Sequence, residues 1–255
     1  MLSLQPKTAL KSVAAGTDGR LIYAIGDIHG RLDLLRRLIG AIADDHARVT
    51  AGGVPMMVFL GDYVDRGDDP RGVIELIISL QRYSAFEVRC LKGNHEQAML
   101  QFLEDPSTGP AWSQHGGGTT LASYGVKTPM ERFKPEGWEA VREAFAAAVP
   151  ADHLGFLRGL ALSSSVGDYM FVHAGVRHGV GLAEQSEHDM LWIRAPFLNE
   201  KRPFEKIIVH GHTPTEEPFV GSNRIGVDTG AYATGVLSAV RLCGADRAFL
   251  SARAR

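Results

Sequence analysis

The sequence of 255 residues contains little cysteine and no long apolar run. Its two cysteines, Cys90 and Cys243, lie inside apolar segments without CxxC spacing. This excludes a disulfide framework and favours a reducing compartment, so we expect a cytoplasmic protein. The longest apolar run covers only residues 54–60, whereas a membrane-spanning helix needs about 18 apolar residues. We therefore expect neither a transmembrane segment nor a membrane partner.

Neither sign of charge dominates the chain. It carries 27 lysine and arginine residues against 29 acidic residues, a net charge of −2. Such a chain has no global field to hold a polyanion, so we expect no nucleic-acid partner. Hydrophobic residues make up 45% and charged residues 22%, which is typical of a globular protein and excludes a disordered or coiled-coil chain.

The first half of the sequence alternates short apolar runs with helical patterns. Residues 1–20 show no periodic pattern and are predicted to form an N-terminal tail. Apolar runs over 21–25, 56–60 and 86–91 are each followed by a loop and a helical stripe. This order predicts parallel strands with helices packed on both faces of their sheet.

The second half has a different pattern. The glycine-rich segment 105–129 is predicted to be a loop insertion over the rest of the fold. We interpret 21–255 as one α/β domain in which a second, mixed or antiparallel sheet faces the first, with a two-domain division as the weaker alternative. The expected elements are a helix over 136–150, a short helix through Leu154 and Leu157, and strands near 161–166, 169–173, 206–210, 224–227 and 236–242.

Polar clusters follow five of the apolar runs, and they contain five of the ten histidines. Because ligands bind outside the carboxyl ends of strands in open α/β sheets, we expect these clusters to converge on one site. They are Gly26-Asp27-Ile28-His29-Gly30, Gly61-Asp62-Tyr63-Val64-Asp65-Arg66-Gly67, Gly93-Asn94-His95-Glu96, His173-Ala174-Gly175 and His210-Gly211-His212-Thr213.

The clusters supply oxygen and nitrogen ligands for metal ions. In extended backbone, Asp27 and His29 point to the same side and can hold one ion together. The full set has too many ligands for one tetrahedral ion and fits two divalent ions that share a carboxylate. The lack of cysteine ligands argues against a structural zinc site. The candidate ligands are Asp27, His29, Asp62, Asn94, His173 and His212.

The motifs GDxHG, GDxVDRG, GNHE, HAG and GHT occur in this order between Gly26 and Thr213. In this the sequence resembles the metallophosphoesterases, and within them the PPP-type serine/threonine phosphatases of bacteria and phages, relatives of the symmetrical dinucleoside tetraphosphatases. The resemblance covers roughly 21–242. It implies an α/β fold, a double β-sandwich flanked by helices, with two metal ions at its edge.

The resemblance also implies a role for each ligand. Asp27 and His29 would hold the first ion, Asp62 would bridge, and Asn94, His173 and His212 would hold the second. The expected ions are manganese, with iron, zinc, nickel and cobalt as alternatives.

Residues next to the ligands match the family's acid pair and its phosphate-binding arginines. His95, oriented by Asp65, could give a proton to the departing oxygen of a phosphate ester. The planar guanidinium of Arg66 suits phosphate oxygens, and Arg194 matches the W-x-R motif of bacterial and phage members. Asn94 would also contact the substrate phosphate.

Other histidines and one family segment need separate interpretation. Position 214 is proline, so the motif is GHT and His212 is the expected ligand. His210 is expected to contact the metal ligands without binding a metal ion itself. His115 has no assigned role. The eukaryotic SAPNYC-type segment does not occur after His212. The remaining histidines expected at the surface are His46, His153, His178 and His188.

We expect an enzyme, a phosphoric monoester hydrolase in which a metal-bridging hydroxide attacks phosphorus in line. A serine/threonine phosphoprotein phosphatase is the leading hypothesis, because the segment 105–129 carries a single basic residue, Lys127, to neutralise a polyphosphate. A symmetrical bis(5'-nucleosyl)-tetraphosphatase is the alternative, and a noncatalytic metal-binding scaffold is more remote. The expected partner is a phosphoprotein or a small phosphoester, and the oligomeric state is open.

Overall fold

Two five-stranded β-sheets face each other in the computed structural model, which describes residues 16–49 and 52–254. The strands are β1 (Leu21–Ile25), β2 (Met56–Phe59), β3 (Glu87–Cys90), β4 (Ser163–Val166), β5 (Tyr169–Val172), β6 (Ile207–His210), β7 (Phe219–Val220), β8 (Arg224–Gly226), β9 (Val236–Cys243) and β10 (Asp246–Arg253).

Helices cover the outer faces of the two sheets. They are α1 (Leu32–His46), α2 (Pro70–Tyr83), α3 (Asn94–Glu104), α4 (Gly109–Gln114), α5 (Gly117–Ser123), α6 (Trp138–Ala148), α7 (Ala151–Arg158), α8 (Glu187–Trp192), α9 (Ala195–Leu198) and α10 (Ala231–Thr234).

Alternation of side chains along β1 shows how the layers form. Leu21, Tyr23 and Ile25 face a core shared with the helices, whereas Ile22 and Ala24 face a core shared with the second sheet. All five are buried, as a strand covered on both faces requires. The double β-sandwich flanked by helices is thereby confirmed. The expectation of helices on both faces of the first sheet is wrong, because the second sheet covers one of them.

The first sheet has the strand order β10-β9-β1-β2-β3, with β1, β2 and β3 parallel. The segment 236–242, expected in the second sheet, lies in β9, which pairs antiparallel with β1 from Leu21–Cys243 to Ile25–Ala239. Residues on both faces of β9 are buried in the two cores, so its apolar pattern suits a central strand of either sheet.

The second sheet is mixed, with the order β4-β5-β6-β8-β7. Strands β5, β6 and β8 are parallel, and β4 and β7 are antiparallel edge strands. The expected mixed sheet is therefore confirmed, and the carboxyl ends of its parallel strands carry His173 and His210.

The segment 105–129, predicted to be a loop insertion, is mostly helical. It contains a 3-10 helix, Pro106–Thr108, followed by α4 and α5. Gly117 lets α5 approach the indole ring of Trp112, because a Cβ atom at position 117 would overlap that ring. The glycines thus serve close packing of short helices, which a composition-based interpretation takes for a loop.

The predicted tail, 1–20, lies outside the described residues except for 16–20. Thr17 is buried, and Arg20 forms an ion pair of 2.5 Å with Glu87. Thr17 and Arg20 therefore pack against the sandwich. Cys90 and Cys243 are unpaired thiols. Across 16–49 and 52–254, no helix is long and apolar enough to cross a membrane.

Candidate active site

Both sheets place polar side chains at one edge of the sandwich. Asp27 and His29 follow β1, Asp62 follows β2, and Asn94 begins α3, the helix after β3. His173 and His212 follow β5 and β6 of the second sheet, and all six side chains are buried. All of them except His173 line a cavity of about 210 Å³, whose lining residues are Asp27, His29, Asp62, Arg66, Asn94, His95, Arg194, His212, Pro214, Asp228 and Tyr232.

Two groups of possible metal ligands meet at Asp62. One consists of His29, Asp62 and His95, and the other of Asp62, His173 and His212, with ligand atoms within 4.8 Å of one another. Oδ2 of Asp62 lies 3.5 Å from Nε2 of His29, and Oδ1 lies 3.5 Å from Nε2 of His173. Because the two carboxylate oxygens face different groups, Asp62 can serve two ions at once.

Backbone carbonyl groups fix the orientation of two histidines. Nδ1 of His29 donates to the carbonyl oxygen of Val64, and Nδ1 of His173 donates to that of Leu60, each at 2.8 Å. Both rings therefore present the lone pair of Nε2 to Asp62. Burial lowers the pKa of His29 to about 3 and also lowers the pKa of His173, which keeps both imidazoles neutral, as metal ligands must be.

His212 and Asn94 complete the second group. Nδ1 of His212 lies 3.2 Å from Nε2 of His173, and Oδ1 of Asn94 lies 3.0 Å from the same atom. Burial lowers the pKa of His212 to about 2, and its buried Nε2 has no hydrogen-bond partner in the described part of the chain. Converging neutral imidazoles with an unpartnered polar atom are what a divalent cation would satisfy, so these residues fit a metal centre.

Asp27 lines the cavity but belongs to neither of the two groups of possible ligands. Its oxygens accept the backbone N–H of His212 at 3.0 and 3.2 Å, and its carboxylate lies beside that of Asp228. Burial and the neighbouring Asp228 raise the pKa of Asp27 well above its ordinary value. By contrast, although burial opposes its charge, the surrounding histidines hold the pKa of Asp62 well below the usual range.

Left-handed backbone conformations concentrate at this site. Among the described residues, six non-glycine residues have positive φ, and one of them, Asp18, lies elsewhere. Such conformations cost free energy and persist where surrounding structure enforces them. The other five are His29, Asp62, Asp65, Arg66 and His212.

Glu96 enforces the loop after β2. Its fully buried carboxylate accepts backbone N–H bonds from Asp62 at 2.8 Å, Tyr63 at 2.7 Å, Val64 at 3.2 Å and Gly93 at 2.8 Å. This role of Glu96 was not predicted from the sequence, although Glu96 ends the GNHE motif. The signal in the sequence is the position of Glu96, directly after the candidate ligand Asn94 and the candidate general acid His95.

His95 and Asp65 form the pair expected from the sequence. Nδ1 of His95 lies 2.6 Å from Oδ2 of Asp65, which has no exposed surface. Burial opposes a charge on His95, but Asp62 and Asp65 outweigh it and raise the pKa of His95 to about 9. Its other nitrogen, Nε2, lies 3.1 Å from Nη2 of Arg66 at the cavity.

Two arginines border the cavity. The guanidinium of Arg66 stacks 4.5 Å above the ring of Tyr232, which is 40% exposed and was not identified from the sequence. Arg194 is exposed and lies 3.3 Å from the hydroxyl of Thr213. Both cations can therefore reach an anion that enters the cavity.

Three further histidines lie away from the cavity lining. His210 is buried, its ring packs on Phe197, and its Nε2 accepts from Arg224 at 3.1 Å. His115 is exposed at the end of α4. His153, expected at the surface, is instead buried, and its Nδ1 lies 2.8 Å from the hydroxyl of Tyr124. That expectation is wrong because α7 turns His153 toward the helical layer.

The fold and the site together define a metal-dependent phosphoesterase. Two facing sheets hold neutral imidazoles and carboxylates around one shared aspartate, beside two arginines. A sequence model of the calcineurin-like phosphoesterase family matches residues 20–239. The chain belongs to this family, whose members use a dinuclear metal centre.

The chain is similar to proteins that are named for different substrates. One is the asymmetrical bis(5'-nucleosyl)-tetraphosphatase PrpE of Anoxybacillus flavithermus, 26% identical over 87% of this chain and 90% of that protein. Another is Shewanella-like protein phosphatase 2 of Arabidopsis thaliana, 27% identical over 66% of this chain and 48% of that protein. A crystal structure described as a candidate diadenosine tetraphosphatase covers 94% of this chain and 95% of its own, with a TM-score of 0.62 and 18% identity, and so shares the fold.

Proposed function

We propose that this protein hydrolyses phosphate monoesters and that its substrates are phosphoserine and phosphothreonine in proteins. The observation that carries the proposal is the pair of His95 and Asp65, with Nδ1 of the imidazole held by a buried carboxylate and Nε2 at the cavity. A serine or threonine alkoxide is a strongly basic leaving group and needs a proton from such an acid. A nucleotide leaving from a polyphosphate is weakly basic and needs one much less.

Each cavity residue has a role in this proposal. Asp27, His29 and Asp62 would hold one divalent cation, and Asp62, Asn94, His173 and His212 would hold the other. The cations would lower the pKa of a bound water and offset phosphoryl charge. Manganese suits the mixed oxygen and nitrogen donors. Arg66, Arg194 and the Asn94 amide would bind the phosphoryl oxygens, and His95 would protonate the departing oxygen.

Hydrolysis of dinucleoside tetraphosphates is the second candidate. The similarity to PrpE covers most of both chains, and the exposed ring of Tyr232 borders the cavity, where it could stack on a nucleobase. The sequence motifs predict symmetrical cleavage for this alternative, whereas the PrpE proteins are named as asymmetrical enzymes. Asymmetrical cleavage would release ATP and AMP from diadenosine tetraphosphate, and symmetrical cleavage would release two ADP.

A substrate comparison tests the two candidates. Metal-stripped protein is reconstituted with manganese and assayed at neutral pH with phosphoserine and phosphothreonine peptides and with diadenosine tetraphosphate. We expect the higher kcat/KM for the peptides. A preference of more than tenfold for the dinucleotide would reverse the ranking, and its products would identify the cleavage position. Turnover of neither substrate would favour the scaffold hypothesis.

We also propose that the protein acts in the cytoplasm without a nucleic-acid or membrane partner. The unpaired thiols of Cys90 and Cys243 support a reducing compartment.

A further inference from the structure

The carboxylate of Asp65 receives hydrogen bonds from three side chains. Oδ2 accepts from Nδ1 of His95 at 2.6 Å and from Nε1 of Trp112 at 2.9 Å, while Oδ1 accepts from Oγ1 of Thr120 at 2.6 Å. All four residues are buried. Only the bond to His95 belongs to the acid pair, so Trp112 and Thr120 are two donors that the proposed chemistry leaves without a role.

These two donors come from one segment of the chain. Trp112 lies in α4 and Thr120 in α5, 47 and 55 residues beyond Asp65 in sequence. The same segment contacts the backbone of the turn, because Asp65 N donates to Thr120 Oγ1 at 2.9 Å and Arg66 N donates to Gly116 O at 3.3 Å. Helices α4 and α5 therefore hold the turn that carries both Asp65 and Arg66.

Thr120 connects the backbone and the side chain of Asp65. Its hydroxyl accepts from the nitrogen of Asp65 and donates to Oδ1 of the same residue. This closes a ring of hydrogen bonds around a residue whose φ is 68°, a left-handed conformation that needs external support. The indole of Trp112 then fixes the other oxygen, the one that faces His95. A carboxylate with donors on both oxygens has little freedom to rotate away from the imidazole.

We propose that Trp112 and Thr120 are positioning residues for the acid pair, which hold the Asp65 carboxylate in the orientation that aims His95 Nε2 at the leaving-group oxygen. The inference rests on the proposed function, since it assigns these residues to protonation of the leaving group. Helices α4 and α5 would then hold Asp65 in place in addition to covering the core.

Core packing is the competing explanation for Trp112. Its ring lies 5.0 Å from that of Phe102 and 5.7 Å from that of Phe145, in the core between the helices. Trp138 occupies the same core, 5.5 Å from Phe102, but its indole nitrogen is buried with no hydrogen-bond partner among the described residues. Replacing Trp138 by phenylalanine therefore changes packing to a similar extent without removing a bond to Asp65.

The test compares Trp112→Phe with Trp138→Phe, and Thr120→Val with Thr119→Val. The hydroxyl of Thr119 donates to Gly116 O and has no bond to Asp65. Each manganese-loaded variant is assayed with a phosphoserine peptide and with p-nitrophenyl phosphate, whose leaving group barely needs a proton. We expect Trp112→Phe and Thr120→Val to lower kcat for the peptide by about tenfold, a part of the full contribution of a general acid. KM for the peptide and kcat for p-nitrophenyl phosphate should stay within about twofold of wild type, the scatter expected when only proton transfer is affected. The control variants and Thr120→Ser, which keeps the hydroxyl, should behave like wild type.

Combination with His95→Asn separates this inference from the proposed function. If protonation is the step affected, Trp112→Phe in the His95→Asn background should cause no further loss on the peptide. Equal losses on both substrates, or equal effects of Trp112→Phe and Trp138→Phe, would overturn the positioning role while leaving the acid in place. A His95→Asn variant that slows both substrates equally would overturn the proposed acid itself, and the inference with it.

Discussion

Oε2 of Glu96 accepts a hydrogen bond of 2.8 Å from the backbone nitrogen of Asp62, the residue that both groups of metal ligands share. The other oxygen of Glu96 binds the next two backbone nitrogens, at Tyr63 and Val64. The position of Asp62 therefore depends on a side chain that belongs to neither group of possible ligands.

Replacement of Glu96 by glutamine should destabilise the fold. The amide turns two donor hydrogens toward backbone N–H groups that have no other acceptor among the described residues, and we expect a loss of about 2 kcal/mol in the free energy of unfolding. Urea unfolding measures this loss. Glu104→Gln is the matched control, because Glu104 is exposed at the end of the same helix. Equal midpoints for the two variants would contradict the role of Glu96.

Removal of metal should abolish phosphoesterase activity, and Asp62→Asn should impair metal binding more than Asp27→Asn. Asp62 faces both groups of ligands, whereas Asp27 points to the backbone of His212. Metal analysis of the purified variants should find both ions diminished in Asp62→Asn and one retained in Asp27→Asn. Full activity in excess chelator would exclude a metal-dependent reaction.

Loss of the His95 imidazole should affect substrates according to their leaving groups. We expect His95→Asn to slow a phosphoserine peptide by about 100-fold or more, since general acids contribute on this scale. The effect on p-nitrophenyl phosphate should be far smaller. Steady-state kinetics on both substrates checks this, with His115→Asn as a control on an exposed imidazole. Equal effects on both substrates would remove His95 from the acid role.

Alanine at Gly61 should disturb the junction of the two sheets. Gly61 has φ of 102°, and an added Cβ would lie 2.6 Å from Gly93 N and 2.9 Å from Nδ1 of His173. Gly125 has φ of 80° with no atom within 4 Å of such a Cβ, so Gly125→Ala reports the conformational cost alone. Thermal unfolding should show a larger loss for Gly61→Ala. Indistinguishable melting temperatures would show that the junction can accommodate a Cβ atom.

The buried His153 should make stability depend on pH. Burial lowers its pKa below the ordinary value of 6.5, so the folded protein keeps this imidazole neutral while the unfolded chain takes up a proton. The contribution of the neutral His153 imidazole to the free energy of unfolding is therefore complete above about pH 6.5 and is lost as the pH falls below that value. Urea unfolding between pH 5 and 7.5 should show a shallower pH dependence for His153→Gln. Parallel curves for the variant and the wild type would rule out this contribution.

The ligand positions could be predicted from the sequence because each follows an apolar strand. Parallel strands align their carboxyl ends, so residues such as Asp27 and Asp62 converge whatever the details of packing. The convergence of His173 from the other sheet needed only that the two sheets face each other. The apolar periodicity and the motif spacing are therefore sufficient to predict that the ligands meet at one edge of the sandwich.

Contacts between remote segments could not be predicted in the same way. Glu96 binds the backbone of a loop 34 residues away, and backbone N–H groups have no signature in the sequence. The helices of 105–129 are too short to show a helical period of apolar residues. The hydrogen bond from Trp112 to Asp65 therefore could not be predicted. Strand β9 is apolar on both faces, so its own sequence does not show which strand it pairs with. Its pairing with β1 depends on how the strands of the whole sheet are arranged.

The pairing of β1 with β9 also has a consequence for synthesis on the ribosome. Leu21 pairs with Cys243, so β1 has an open edge until more than two hundred further residues have been made. Nascent β1 and β2 can pair early, because they are close in sequence and parallel. The other edge of β1 stays exposed to other chains throughout this interval, and unpaired edges promote association. Slow translation or truncation before β9 should therefore yield aggregates rather than a smaller folded protein.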